Sequence, residues 1–189
     1  MRKIITMMSV SLDGFFEGPD HDLDWHLVDE ELHRHFNEAL GAMGAFLEGR
    51  VTYELMESYW PSADADPSST ATIFEFARIW REMPKIVYSR TLARAGVNTT
   101  IEREVVAADV LALKAQPGGD LMVGGADLAA TFRRLGLIDE YRLYVHPVVI
   151  GRGNPLFRPD DRFELRLAET RTFGNGVVLL RYEVPREVG

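Results

Sequence analysis

Three short stretches of this chain place phosphate-suited groups where an apolar run turns polar. Val123-Gly124-Gly125-Ala126-Asp127-Leu128 follows a hydrophobic run and opens a helical pattern. Paired glycines let a ligand approach the backbone, and the free N–H groups at a helix start face an anion. A tight turn with no ligand explains the same residues equally well. Gly49-Arg50-Val51-Thr52-Tyr53-Glu54 also lies where an apolar run meets a helix. It offers a forked cation, a hydroxyl and helix-start donors, although a surface arginine and a capping threonine would account for it alone. Ser89-Arg90-Thr91 directly follows the run KIVYS. Ligands of open α/β sheets bind outside the carboxyl ends of strands, so three such ends form a more specific pattern than any one of them. An arginine there suits a 2′-phosphate and favours NADP over NAD.

The usual dinucleotide fingerprint after the first strand is absent, and Gly151-Arg152-Gly153 precedes Asn154-Pro155 rather than a helix. The P-loop, zinc-protease and serine-hydrolase motifs are absent as well. Asp20, Asp22, Asp24 and Glu31 fall at calcium-loop spacing, but Trp25 stands where the sharp turn needs glycine. His33 and His35 are two residues apart, hence on different faces of a helix. No metal site is expected.

The elements that must position these residues alternate. Residues 3–10 read as a buried strand ending at the Asp13-Gly14 turn, and 14–24 as an irregular loop. Leu27, Leu32, Phe36 and Leu40 share a helical face closed by Gly41. A strand over 44–49 leads directly into a helix over 50–59, then a polar loop over 61–70. A helix carrying Ile73, Phe76, Ala77 and Trp80 precedes the strand at 85–89. A short strand is expected at 104–106, followed by a helix capped by Asp109. DLMVGG reads as a strand and 126–135 as a helix. The remainder is β-rich, with a hairpin signal at Gly174-Asn175-Gly176. The expected fold is therefore α/β: a mostly parallel twisted sheet with helices on both faces and an antiparallel C-terminal hairpin edge, forming one domain over 1–189.

The 189 residues are 46% hydrophobic and 26% charged, a globular composition that can bury a core. With no cysteine, disulfides, thiolate zinc sites and cysteine nucleophiles are excluded. A net charge of -8 argues against a nucleic-acid partner. No segment approaches the roughly 18 apolar residues of a membrane helix, and a cytoplasmic location is the default expectation.

Taken together, SLDG at 11–14, GRVTYE at 49–54, KIVYSRTL at 85–92, VGGADLAATF at 123–132 and IDEYRLYVHPVVIGRGNPLF at 138–157 resemble the dihydrofolate reductase-like superfamily. Within it, the chain is most similar to the branch holding the C-terminal reductase domain of the riboflavin deaminase-reductase. That resemblance implies an NADPH site. Arg50, Val51 and Thr52 would contact phosphates, and Ser89 and Arg90 would take the 2′-phosphate side. Gly124, Gly125, Ala126, Asp127 and Leu128 would cradle the pyrophosphate, while Ser9 and Phe16 would lie near the nicotinamide. Asp29 and Glu30 are the candidate acids after Trp25; two favourable acids in a first helical turn are the plainer reading.

The function implied is NADPH-dependent reduction of a small pterin- or pyrimidine-like heterocycle, in the manner of 5-amino-6-(5-phosphoribosylamino)uracil reductase. Dihydrofolate reductase-like activity and nucleotide binding without turnover remain the alternatives. Tyr53, Trp60 and Trp80 are candidates to stack on a planar substrate or to fill the core. A homodimer is expected from the exposed C-terminal strand edge.

Overall fold

The computed structural model describes residues 1–185; residues 186–189, the end of the span assigned to the domain, lie outside the described residues. In chain order the elements are β1 (Ile4–Ser11), β2 (Phe15–Glu17), α1 (Glu30–Gly41), β3 (Ala45–Gly49), α2 (Arg50–Tyr59), α3 (Ala71–Glu82), β4 (Lys85–Tyr88), β5 (Thr99–Glu102), α4 (Ala107–Ala115), β6 (Leu121–Gly124), α5 (Ala126–Arg134), β7 (Glu140–His146), β8 (Asn154–Pro155), β9 (Arg166–Thr172) and β10 (Val178–Glu183). None of the helices is long and apolar enough to cross a membrane among the described residues.

The main sheet runs β5-β4-β3-β6-β1-β7-β10-β9. The strands from β5 to β7 are parallel, and β10 and β9 close the edge antiparallel. From β1 the chain steps outward through β3, β4 and β5, then returns to insert β6 between β3 and β1. In open α/β sheets a reversal of this kind leaves a crevice outside the carboxyl ends of the strands, here β3, β6 and β1.

Helices cover both faces. Val110 of α4 and Leu128, Ala129 and Phe132 of α5 pack with Ile4, Leu47 and Val123. On the opposite face Tyr53 of α2 and Phe76, Ile79 and Trp80 of α3 pack with Ile5, Phe46, Val87 and Met122. The strict alternation of Ile4/Ile5 and Phe46/Leu47 between the two clusters is the period of two expected of strands buried on both faces. Tyr53 and Trp80 are therefore core residues and do not stack on a substrate.

Some expectations are corrected. Strand β5 lies at Thr99–Glu102, and residues 104–106 lead into α4 instead. As an edge strand, β5 has polar, alternately exposed residues, which hid it from a search for apolar runs. Val106, not Asp109, precedes the first turn of α4; Asp109 sits inside that turn, where its charge still suits the helix dipole. Helix α1 starts at Glu30, so Leu27 precedes it and is exposed. The loop after β1 is not wholly irregular, because β2 pairs with β8. The hairpin of β9 and β10 forms as expected, with Gly176 at φ 86°.

One buried ion pair ties the two halves of the sheet together. Lys114 Nζ of α4 lies 2.6 Å from Asp139 Oδ2, both nearly sealed, and the same carboxylate accepts the Ile4 amide at 2.8 Å. Removing one partner of such a pair strands the other charge. Lys114→Met should lower the unfolding free energy by about 3–5 kcal/mol in urea denaturation.

Candidate functional site

Gly49 ends β3 and its next residue begins α2; Gly124 ends β6 and Gly125 caps α5. The two strands are neighbours in register, Glu48 opposite Gly124. Two helix N-termini are thus brought together. A Cβ built on Gly125 would stand 2.7 Å from Thr52 Oγ1, and one on Gly49 would stand 3.6 Å from Leu128 Cβ. Gly125 also has φ +92°, a conformation side chains rarely adopt. Neither helix start has a side-chain cap, so the amide donors of both first turns lack a side-chain acceptor. Each N-terminus carries about half a positive charge, and a pair of them is chemically suited to an anion.

Strand β4 adjoins β3 with Tyr88 opposite Gly49, which places Ser89 and Arg90 beside the start of α2. The buried Ser89 hydroxyl oxygen accepts the amides of Thr91 at 3.2 Å and Leu92 at 2.9 Å, fixing the turn. Arg90 is exposed and makes no ion pair or hydrogen bond among the described residues. Arg50 is exposed and pairs with Glu54 one turn on, at 2.6 Å. Val51 is exposed beside it, Ala126 is half-buried and Leu128 is buried against Gly49. Asp127 reaches away from the core to Arg158 at 2.8 Å, its side chain 94% exposed.

The remaining expected residues lie elsewhere. Ser9 is half-buried in β1, opposite Tyr144 of β7. Phe16 packs against the larger core cluster. Asp29 caps α1 by accepting the Leu32 amide at 2.9 Å, and Glu30 accepts the Thr72 hydroxyl at 3.2 Å. Both acids hold helix starts together.

Above β1 and β7 the loop over residues 12–29 forms a roof. Asp13 accepts the amides of Ile150 and Gly151, and Ser11 Oγ accepts that of Phe15. Beneath it His146, opposite Ser11, accepts the Leu27 amide on Nδ1 at 3.0 Å. His26 stacks on the His146 ring at 5.2 Å, and Trp25 meets both edge-on. Burial and then the neighbouring His26 push His146 down to about 4, so both rings are neutral at physiological pH.

The sequence pattern of the RibD C-terminal domain matches residues 2–179. The chain belongs to that family. Over 183 residues it is 36% identical to the uncharacterized protein YyaP of Bacillus subtilis (strain 168), covering 96% of this chain and 94% of that one. A solved protein from Shewanella sp. PV-4, assigned to riboflavin biosynthesis, superposes with a TM-score of 0.73 at 19% identity over 97% of this chain and 99% of that one. The diaminohydroxyphosphoribosylaminopyrimidine deaminase/5-amino-6-(5-phosphoribosylamino)uracil reductase of Thermotoga maritima superposes with a TM-score of 0.67 at 13% identity, over 97% of this chain and 57% of that one. At these identities the two structures show that the fold is shared.

In this RibD C-terminal domain one residue of the site escaped the sequence reading. Glu48 lies inside the otherwise apolar strand Ala45–Gly49, wholly buried, with Oε2 lacking a hydrogen-bond partner among the described residues. The available signal was an acid in a five-residue apolar strand, where charge is rarely tolerated.

Two outcomes follow from this geometry. A Cβ on Gly124 would stand 2.7 Å from Glu48 Cδ and closer still to Oε2. Gly124→Ala should therefore cost about 1–3 kcal/mol by overpacking, and Glu48→Ala in the same chain should recover part of it, as read by chemical denaturation. The lowered histidines set an acid limit. The unfolded chain takes up a proton at His146 near 6.5 while the folded one resists to about 4, so stability is intact above 6.5 and lost as pH falls through that window. Melting temperature should fall across this interval, and less so in His146→Gln.

Proposed function

We propose that this protein is an NADPH-dependent reductase acting on a small pyrimidine-like ring, after the manner of 5-amino-6-(5-phosphoribosylamino)uracil reductase. The observation that carries the reading is the meeting of the α2 and α5 N-termini at Gly49, Thr52, Gly124 and Gly125, in a chain of the RibD C-terminal domain family. A diphosphate suits this place: two uncapped helix starts supply donors and field, and the glycines at the strand ends carry no side chain to screen the backbone donors. Arg90, exposed and unpaired beside Ser89, is suited to a 2′-phosphate, as a forked donor matches phosphate oxygens. When bound, the cofactor supplies hydride.

The chain's own residues then hold and enclose. Backbone amides of α2 and α5 fix the tail, the half-buried Ser9 lines the floor over β1, and the 12–29 loop with its neutral rings shields the crevice from water. Asp29 and Glu30 are the candidate acids after Trp25. Both are engaged at helix starts, which favours one second reading, nucleotide binding without turnover. The homodimer belongs to this proposal too, with the outer edge of β9, all seven residues exposed, as the surface that supports it.

Titration of the protein with NADPH and NADH, together with NADPH absorbance decay over pyrimidine and pterin substrates, tests the reading. Arg90→Ala should weaken NADPH by about 10–100-fold, the worth of one charge-assisted contact, and leave NADH nearly unchanged. Absence of NADPH binding would overturn the proposal, and binding without turnover across the panel would favour the second reading.

A further inference from the structure

Glu48 is the residue whose surroundings most need a reason. Its side chain is 1% exposed, and Oε2 is sealed with no hydrogen-bond partner among the described residues. A buried acid in this state is costly as the neutral form and far more so as the anion. Burial pushes its carboxyl up to about 8, and Lys85 of β4 works weakly the other way. That lysine is itself committed, donating to the Trp80 and Met83 carbonyls at 2.6 and 2.9 Å. The other charges facing this pocket are few. Glu57 of α2 acts on Lys85 and accepts the Trp80 indole N–H of α3 at 2.9 Å. Arg50, at the start of α2, is paired with Glu54. Strand β6 contributes Gly124, and Asp127 of α5 is turned to solvent and Arg158.

Position gives this isolation its meaning. The carboxyl group rests against the Cα of Gly124, directly below the turn that opens α5, and the next residue, Gly49, opens α2. Glu48 therefore lies beneath the meeting point of the two helix N-termini. A carboxylate there would cancel the positive field that an anion needs, whereas a carboxylic acid leaves it intact. Conversely, an anion held above raises the cost of ionising Glu48.

We propose that Glu48 is a positioning residue of the anion cradle that must carry a proton for a phosphorylated nucleotide to bind, so that binding and protonation of Glu48 are coupled. The proposal rests on the cradle being the diphosphate site. In the range above pH 7 no phosphate of NADPH takes up a proton, so proton uptake on binding reports the protein.

The test is calorimetric titration with NADPH at pH 7, 8.5 and 9.5, each in two buffers of different ionisation enthalpy. Expected for the native protein are proton uptake at pH 8.5 and a Kd that rises by about tenfold per pH unit above 8, the limit in which only the protonated form binds. Glu48→Gln, an uncharged isostere, should bind with a flat profile and no proton uptake. Native binding that is independent of pH overturns this proposal while leaving the diphosphate site standing, as does an E48Q profile that matches the native one. Absence of heat with NADPH at pH 7 from the native protein overturns the cradle and this coupling together. If E48Q does not fold, the infrared spectrum of the native protein decides: NADPH addition at pH 8.5 should bring up a protonated-carboxyl band, and its absence refutes the coupling.

Discussion

The ends of β3 and β6 lie so close that a side chain at Gly124 or Gly125 would collide with its neighbour. Gly124 faces the carboxyl group of Glu48 and Gly125 the hydroxyl of Thr52, while Gly49 lies in ordinary contact range of Leu128. Of two chain segments some seventy-five residues apart in sequence, the one that follows β6 must therefore arrive as bare backbone at both close contacts. The insertion of β6 between β3 and β1 forces the encounter, because it sets two parallel strands side by side and sends helices from both in opposite directions around the sheet. The field of the helix termini, the access of an anion to backbone donors and the confinement of Glu48 are all consequences of this close approach.

The sheet's two faces are built for different tasks. Helices α4 and α5 seal one face with aliphatic side chains and Phe132. On the other face the core is broken by polar groups: Lys85, Glu48 and the Glu57–Trp80 contact lie among the rings of Tyr53, Phe76 and Trp80. Of these only Glu48 has a buried carboxylate oxygen without a partner among the described residues, and a group of that kind reduces stability and is retained where it serves a site.

Much of this was legible in the residues. The apolar runs at 3–10 and before Gly124 announced buried strands, and the Asp13-Gly14 turn and the Gly124-Gly125 pair marked their carboxyl ends. Strand β5 was illegible because an edge strand with TTIE needs no apolar face. Asp109 misled as a cap because a first-turn acid and an N-cap acid share composition and differ by only a few positions. Asp29, by contrast, does cap its helix, and that local bond is what its spacing before Leu32 best explains. Glu48 carried one local signal, an acid in an apolar strand, but its isolation arises only when β4 and β6 close on either side of β3. Partners far apart in sequence decide such an environment, and a strand read alone cannot supply them.

The roof over the crevice is fastened at three places: at Asp13 to two amides of the 150–151 turn, through the β2–β8 ladder, and at Leu27 to the ring of His146. A loop of this kind has already lost its freedom before any guest arrives. Association then need not order it, and the penalty that mobile lids impose on affinity is avoided. Entry and exit of a nucleotide would be governed by the exposed side chains at the rim, and residence time becomes a property of the surface rather than of a closing gate.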